Sequence, residues 1–162
     1  MKLSEHLDLS EVIRSESAKR QGISNMPTPE HIANFKILAE NVFEPIRNHF
    51  RCPIHISSAY RSKELNEVTV GASKTSDHCF GRAVDLDQDG HAHGVTNNDV
   101  FHWAINNLKF KQVIAEYPVN GLLSWVHISY DPNNLKNEIL ICVKKDGKPH
   151  YLPYKGNEHL VK

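Results

Sequence analysis

From Thr28 onward the chain carries an apolar stripe that cannot be left in water: Ile32, Phe35, Leu38, Ala39, Val42, Phe43 and Ile46 recur at helical spacing. Residues three and four apart share one side of a helix, so one face of this segment must be covered by another layer. Its start is marked by Thr28-Pro29-Glu30, with Thr28 placed to cap the first turn and Pro29 at a position where a missing N–H costs nothing. Pro45 falls late in the pattern and is expected to kink or tighten the last turn. A sheet is the natural cover for such a stripe, and the rest of the chain supplies strands.

The runs Ile54 to Ser58, Arg82 to Leu86, Gln112 to Glu116, Ser124 to Tyr130 and Glu138 to Lys144 are short and read as strands. Asp146-Gly147 is a tight-turn signal, so Glu138 to Lys144 should fold back on Lys148 to Leu152 as a hairpin. Further helical pieces are expected within Leu9 to Ser17, after a Ser62 cap through Leu65 and Asn66, and from Asn97 or Asn98 with Val100, Trp103, Ala104 and Leu108 inward. Helices ahead of and between mostly adjacent strands predict an α+β fold: a single domain with an antiparallel-rich sheet packed by helices. A length of 162 residues suits one such domain. It reads as an N-terminal arm over residues 1–27 packed on a domain over residues 28–162.

Lys plus Arg and Asp plus Glu balance at 19 each, so no overall field draws the protein to nucleic acid or an anionic membrane. Cys52, Cys79 and Cys142 form no C-x-x-C pair and cannot all pair within the chain, which argues against a disulfide framework and a cysteine-rich zinc site. Met1 to His6 lacks the apolar run of a signal peptide, and no segment approaches membrane-spanning length. A monomer made in the cytoplasm is expected, carried by another agent to any substrate outside it.

The stretch Ser76-Asp77-His78-Cys79-Phe80-Gly81-Arg82-Ala83-Val84-Asp85 sets an imidazole and a carboxylate on either side of a glycine turn. With Trp125-Val126-His127 downstream, it offers three ligands of the kind a catalytic zinc uses while leaving a fourth position for water. Period-two alternation puts Ala83 and Asp85 on one strand face, and Trp125 and His127 on one face of another. Taken singly, His78 reads as a loop histidine, Asp85 as a strand-end carboxylate and His127 as a core histidine. Other motifs compete. Asp85-Leu86-Asp87-Gln88-Asp89-Gly90 matches the first half of a calcium loop, but Thr96 stands where a bidentate Glu is wanted and a strand precedes the run. His91-Ala92-His93, between Gly90 and Gly94, forms a loop that could line the cleft or take the place of His127 as ligand. Cys79 reads as a packed thiol beside His78.

Together, Ser57-Ser58-Ala59-Tyr60-Arg61-Ser62, Leu65-Asn66, Ser76 through Asp85 and Trp125-Val126-His127 resemble, in order and spacing, the peptidoglycan zinc peptidases. These comprise D-alanyl-D-alanine carboxypeptidases and L-alanyl-D-glutamate endopeptidases, within a wider group that includes lysostaphin and hedgehog domains. Leu3-Ser4-Glu5-His6 with Leu9-Ser10-Glu11 looks like a phage and prophage branch of endolysin-like peptidases. The resemblance implies Zn2+ held by His78, Asp85 and His127, with Arg61 stabilising the oxyanion and peptidoglycan peptide as substrate. Ser76 would bond substrate backbone or brace the ligand loop, and Trp125 would contact substrate. Better-known members place an acid three positions before the last histidine ligand, where this chain has Ser124. The base expected in its place is Glu116, across from Trp125 if residues 117–123 loop between antiparallel strands. The resemblance also allows a noncatalytic zinc module that binds a wall peptide or a protein partner.

Overall fold

The computed structural model describes residues 1–156 and 159–161; residues 157, 158 and 162, part of the span read as the domain, lie outside the described residues. In chain order the elements are α1 (Leu9–Ile13), α2 (Glu16–Gln21), α3 (Pro29–Leu38), α4 (Glu44–Phe50), β1 (Ile56–Ser58), α5 (Lys63–Val68) and β2 (Ala83–Leu86), followed by α6 (Asn97–Asn107), β3 (Gln112–Glu116), β4 (Trp125–Ser129), β5 (Glu138–Lys145) and β6 (Lys148–Pro153). The strands form one six-stranded sheet in the order β1-β2-β4-β3-β5-β6. Every pairing is antiparallel except β3 with β5, which run parallel. The class is α+β, as the pattern of elements predicts.

Thr28 caps α3 by accepting from the His31 N–H, with Pro29 in the first turn. The stripe then continues through a widened turn, Ala39–Phe43, in which the Glu44 N–H reaches back five residues to the Ala39 carbonyl. Pro45 has no N–H to offer a regular helix, and this one-turn widening lets the helix run on into α4 instead of breaking. Phe35, Leu38, Val42, Phe43 and Ile46 are all buried. They join Val84, Leu86, Val113, Ala115, Val126 and Ile128 of the sheet in one core. Each buried Val, Leu, Ile or Phe among them stabilises the fold by about 1.5–3 kcal/mol relative to exposure.

Residues 1–27 contribute to the same core through Leu3, Leu7 and Val12. They also clamp the chain leaving β1: Tyr60 N–H donates to the Val12 carbonyl at 2.8 Å, and the Asn25 amide donates to the Tyr60 carbonyl at 3.0 Å. The Asn25 side-chain oxygen accepts from the Ser62 N–H at 2.8 Å. Arg61 therefore sits on backbone held from both sides.

Helix α6 begins at Asn97, the first of the two starts expected from sequence. Thr96 is the cap and forms a reciprocal capping box with Asp99. Asn97 and Asn98 are buried and serve the β3–β4 connection instead. Asn97 donates to the carbonyls of Leu123 and Ser124, both at 3.1 Å, and Asn98 donates to Gly121 at 2.7 Å. Hairpin β5–β6 closes at Asp146-Gly147, both at positive φ, as expected of a two-residue turn.

Gly81 joins the segment Asp77–Phe80 to β2 at φ +68. A Cβ there would stand 2.3 Å from the His31 carbonyl oxygen, so the turn docks against α3 with no room for a side chain. Gly90 also has positive φ, but a Cβ would meet nothing within 4 Å. Gly81→Ala should therefore cost about 3 kcal/mol, combining left-handed strain with a backbone clash, while Gly90→Ala should cost only about 1 kcal/mol. Urea denaturation of the two variants checks this; equal losses would show that the Gly81 approach is not constrained.

Candidate metal centre and its cleft

The sheet face turned away from the core carries the polar side chains. Asp85 on β2 pairs with His127 on β4, which pairs on its other side with Ile114 of β3. His78 arrives from the short 3-10 turn Asp77–Phe80. Its Nε2 lies 3.4 Å from Asp85 Oδ1, and His127 Nδ1 lies 2.9 Å from the same oxygen. One potential ligand atom from each of the three falls within 4.8 Å of the others.

The His78 ring is oriented from behind. Its Nδ1 donates to the Ala59 carbonyl at 2.5 Å, which turns Nε2 toward Asp85. A backbone acceptor on the far nitrogen is the usual device that fixes tautomer and direction of a metal-ligating histidine. The Arg61 N–H donates to the His78 carbonyl at 3.2 Å, so strand exit and ligand turn hold each other. Lys111 Nζ meets Asp77 Oδ1 at 2.7 Å and anchors the same turn to the start of β3.

Two carboxyl groups on this face are driven in opposite directions. Burial pushes Asp85 upward, but the positive fields of His78 and His127 and their hydrogen bonds more than reverse it, holding Asp85 well below the usual carboxylate range. Glu116, only 6% exposed, is pushed from 4.5 up to about 7, chiefly by burial. His127 opposes that shift, Asp85 adds to it, and Cys142 lowers it by a hydrogen bond. Asp85 is thus a permanent anion and Glu116 a group that exchanges a proton near neutral pH.

The triad shares its cleft with Arg61, Ser76, Glu116 and Trp125, so all seven residues singled out from sequence line one cavity. Glu116 pairs directly with Trp125 across β3 and β4. Arg61 Nη1 donates to the Asn66 side-chain oxygen at 3.3 Å. Ser76 makes no side-chain capping bond to its turn. Ser124, where an acid stands in better-known relatives, has a structural role: its hydroxyl donates to the Tyr117 carbonyl at 2.8 Å, and its N–H to the Glu116 carbonyl at 2.9 Å.

The competing motifs resolve differently. Asp87 and Asp89 accept from the Asn97 side chain and backbone at 3.0 and 2.9 Å, so the acids after Asp85 fasten α6. His91 and His93 do not line the cleft, contrary to one expectation; they stack against His55, with ring centroids 3.4 and 5.8 Å away. Cys79 is a free thiol that faces a second groove beside Tyr60 and Phe80. Sequence reasoning passed over Tyr117, Pro149 and Tyr151, which also line the cleft. Tyr117 follows Glu116 directly, but nothing local marks Pro149 or Tyr151, because β6 reaches the cleft only through β5.

Two imidazole nitrogens and a carboxylate oxygen, converging on a rigid sheet face with one imidazole braced by a carbonyl, fit a divalent ion such as zinc. With a buried acid beside them in an open cleft, they define a metallopeptidase. The family model of Peptidase M15 matches residues 5–129, and the chain belongs to that family. No curated protein matches it.

The metal-free protein should carry the Glu116 shift into its stability. A folded-state pKa raised above the unfolded value stabilises below about pH 4.5, and that contribution is lost as pH rises through 7. Glu116→Gln removes the titration, so between pH 5 and 8 the metal-free variant should lose less stability than the metal-free wild type, by up to about 3 kcal/mol. Parallel denaturant curves for the two proteins would argue against a buried, proton-holding Glu116.

Proposed function

We propose that this M15 peptidase hydrolyses a peptide bond of the peptidoglycan stem peptide or cross-link with zinc as its ion. The bond would be of the D-alanyl-D-alanine carboxypeptidase or L-alanyl-D-glutamate endopeptidase type. What carries the reading is the convergence of His78, Asp85 and His127 beside a buried Glu116 in one cleft. The resemblance over Ser57–Ser62, Ser76–Asp85 and Trp125–His127 supplies the wall-peptide substrate class.

His78, Asp85 and His127 would hold the zinc, Asp85 contributing the negative charge that balances part of the dication. When bound, zinc supplies Lewis acidity that polarises the scissile carbonyl and brings the pKa of water toward neutrality. Glu116 takes the proton from the attacking water, which its raised pKa allows near pH 7. It then returns that proton to the leaving amine. The Arg61 guanidinium faces the same cleft and stabilises the negative charge that develops on the carbonyl oxygen. Ser76, with no capping bond to its own turn, is available to the substrate backbone, and Trp125 gives the peptide an apolar wall.

Release of amino groups from purified peptidoglycan should be abolished by a chelator and restored by Zn2+. Glu116→Gln should keep one equivalent of zinc while hydrolysis falls about 10²–10⁴-fold. Near-wild-type activity in that variant would remove Glu116 from the mechanism. His78→Ala and His127→Ala should each lose the zinc, as read by metal analysis after dialysis; full retention in both would rule out the triad as its site.

A further inference from the structure

The Peptidase M15 match ends at Ser129, yet one wall of the cleft comes from beyond it. Hairpin β5–β6 attaches to the catalytic sheet through the parallel pairing of β3 with β5. In that register Glu116 lies opposite Cys142, and Cys142 lies opposite Tyr151. With Trp125 opposite Glu116 on the other side, the four side chains form a single cross-strand row, Trp125, Glu116, Cys142, Tyr151. Alternation along β6 puts Pro149 on the same face as Tyr151, and both line the cleft. Pro149 also closes against the opposite wall, where a Cβ on Gly71 would lie 3.5 Å from its ring.

Within this row the positions differ in character. Cys142 is fully buried and hydrogen-bonds with its neighbours Glu116 and Tyr151, so the row is joined through side chains as well as by register. Tyr151 is 48% exposed although it faces the cleft, so its ring has a side free for a ligand. Burial and the neighbouring Glu116 carboxylate push its phenol far above its ordinary value. It therefore remains a neutral O–H donor at any working pH, unlike Glu116 beside it.

We propose that Tyr151 is a substrate-binding, specificity-determining residue, its phenol donating to a carbonyl of the bound peptide on the Glu116 side of the cleft. The inference rests on the peptidase reading of the site, and it assigns to a hairpin outside the family match the wall that selects the peptide. Tyr151 takes no part in proton transfer, so its contribution belongs to binding.

The test compares wild type, Tyr151→Phe and Tyr151→Ala, each zinc-loaded, on a defined muropeptide and on a mixed library of all-L peptides. Tyr151→Phe keeps the ring and should raise KM about three- to tenfold, the effect of one neutral hydrogen bond, with kcat within about twofold of wild type. Tyr151→Ala should raise KM further, and metal content should not change in either. An unchanged KM in Tyr151→Phe, or a fall in kcat alone, overturns the assignment. Wild-type cleavage of the L-peptide library but not of the muropeptide would instead overturn the wall-peptide reading, and the Tyr151 comparison would then be read on the L-peptides.

Discussion

The pairing of β2 with β4 is the constraint on which the rest depends. It places Asp85 opposite His127 on one face while Val84, Leu86, Val126 and Ile128 enter the core on the other. A slip of one residue would turn the carboxylate into the apolar layer and an apolar side chain toward the cleft, so core burial and site geometry enforce the same register. The helical stripe from Phe35 to Ile46 holds this alignment by covering the apolar face. Stability and the metal site are thus two sides of one sheet.

The pieces outside the sheet are tied to it by few but specific contacts. His78 is not on a strand, and its position is set by the Gly81 turn against α3, the Ala59 carbonyl behind its ring and the Lys111 pair at Asp77. On the opposite side, Asn97 and Asn98 use side-chain amides to shape the β3–β4 connection, keeping Glu116 and Trp125 in register. Buried amides of this kind are stable only because their partners are present, and they give the connection a single geometry.

Placement also divides the two carboxylates by role. Asp85 lies between two imidazoles and stays ionised despite burial, as a ligand should. Glu116, one strand over, is opposed by His127 alone and feels burial more than attraction. The same residue chemistry at two positions on one face is thus pushed in opposite directions by its neighbours.

Much of this was legible locally. The Thr28-Pro29 helix start, the apolar stripe, the Asp146-Gly147 turn and the strand alternation around Asp85 and His127 are short-range patterns governed by backbone sterics and periodicity, and they appear in the structure. So does the pairing of Glu116 with Trp125, because residues 117–123 are short enough to return the chain antiparallel. The start of α6 at Asn97 is equally local, but the use of the Asn97 and Asn98 side chains to hold a loop more than twenty residues away is not. The stacking of His91 and His93 on His55, the structural role of Ser124 and the arrival of Tyr151 in the cleft all depend on strand order and long-range contacts. Short-range patterns thus mark which residues can be ligands, which faces are apolar and where the turns fall. Which wall closes the cleft, and where His91 and His93 go instead of the cleft, follow from the parallel joining of β3 to β5 and the docking of loops on distant elements, which no local pattern encodes.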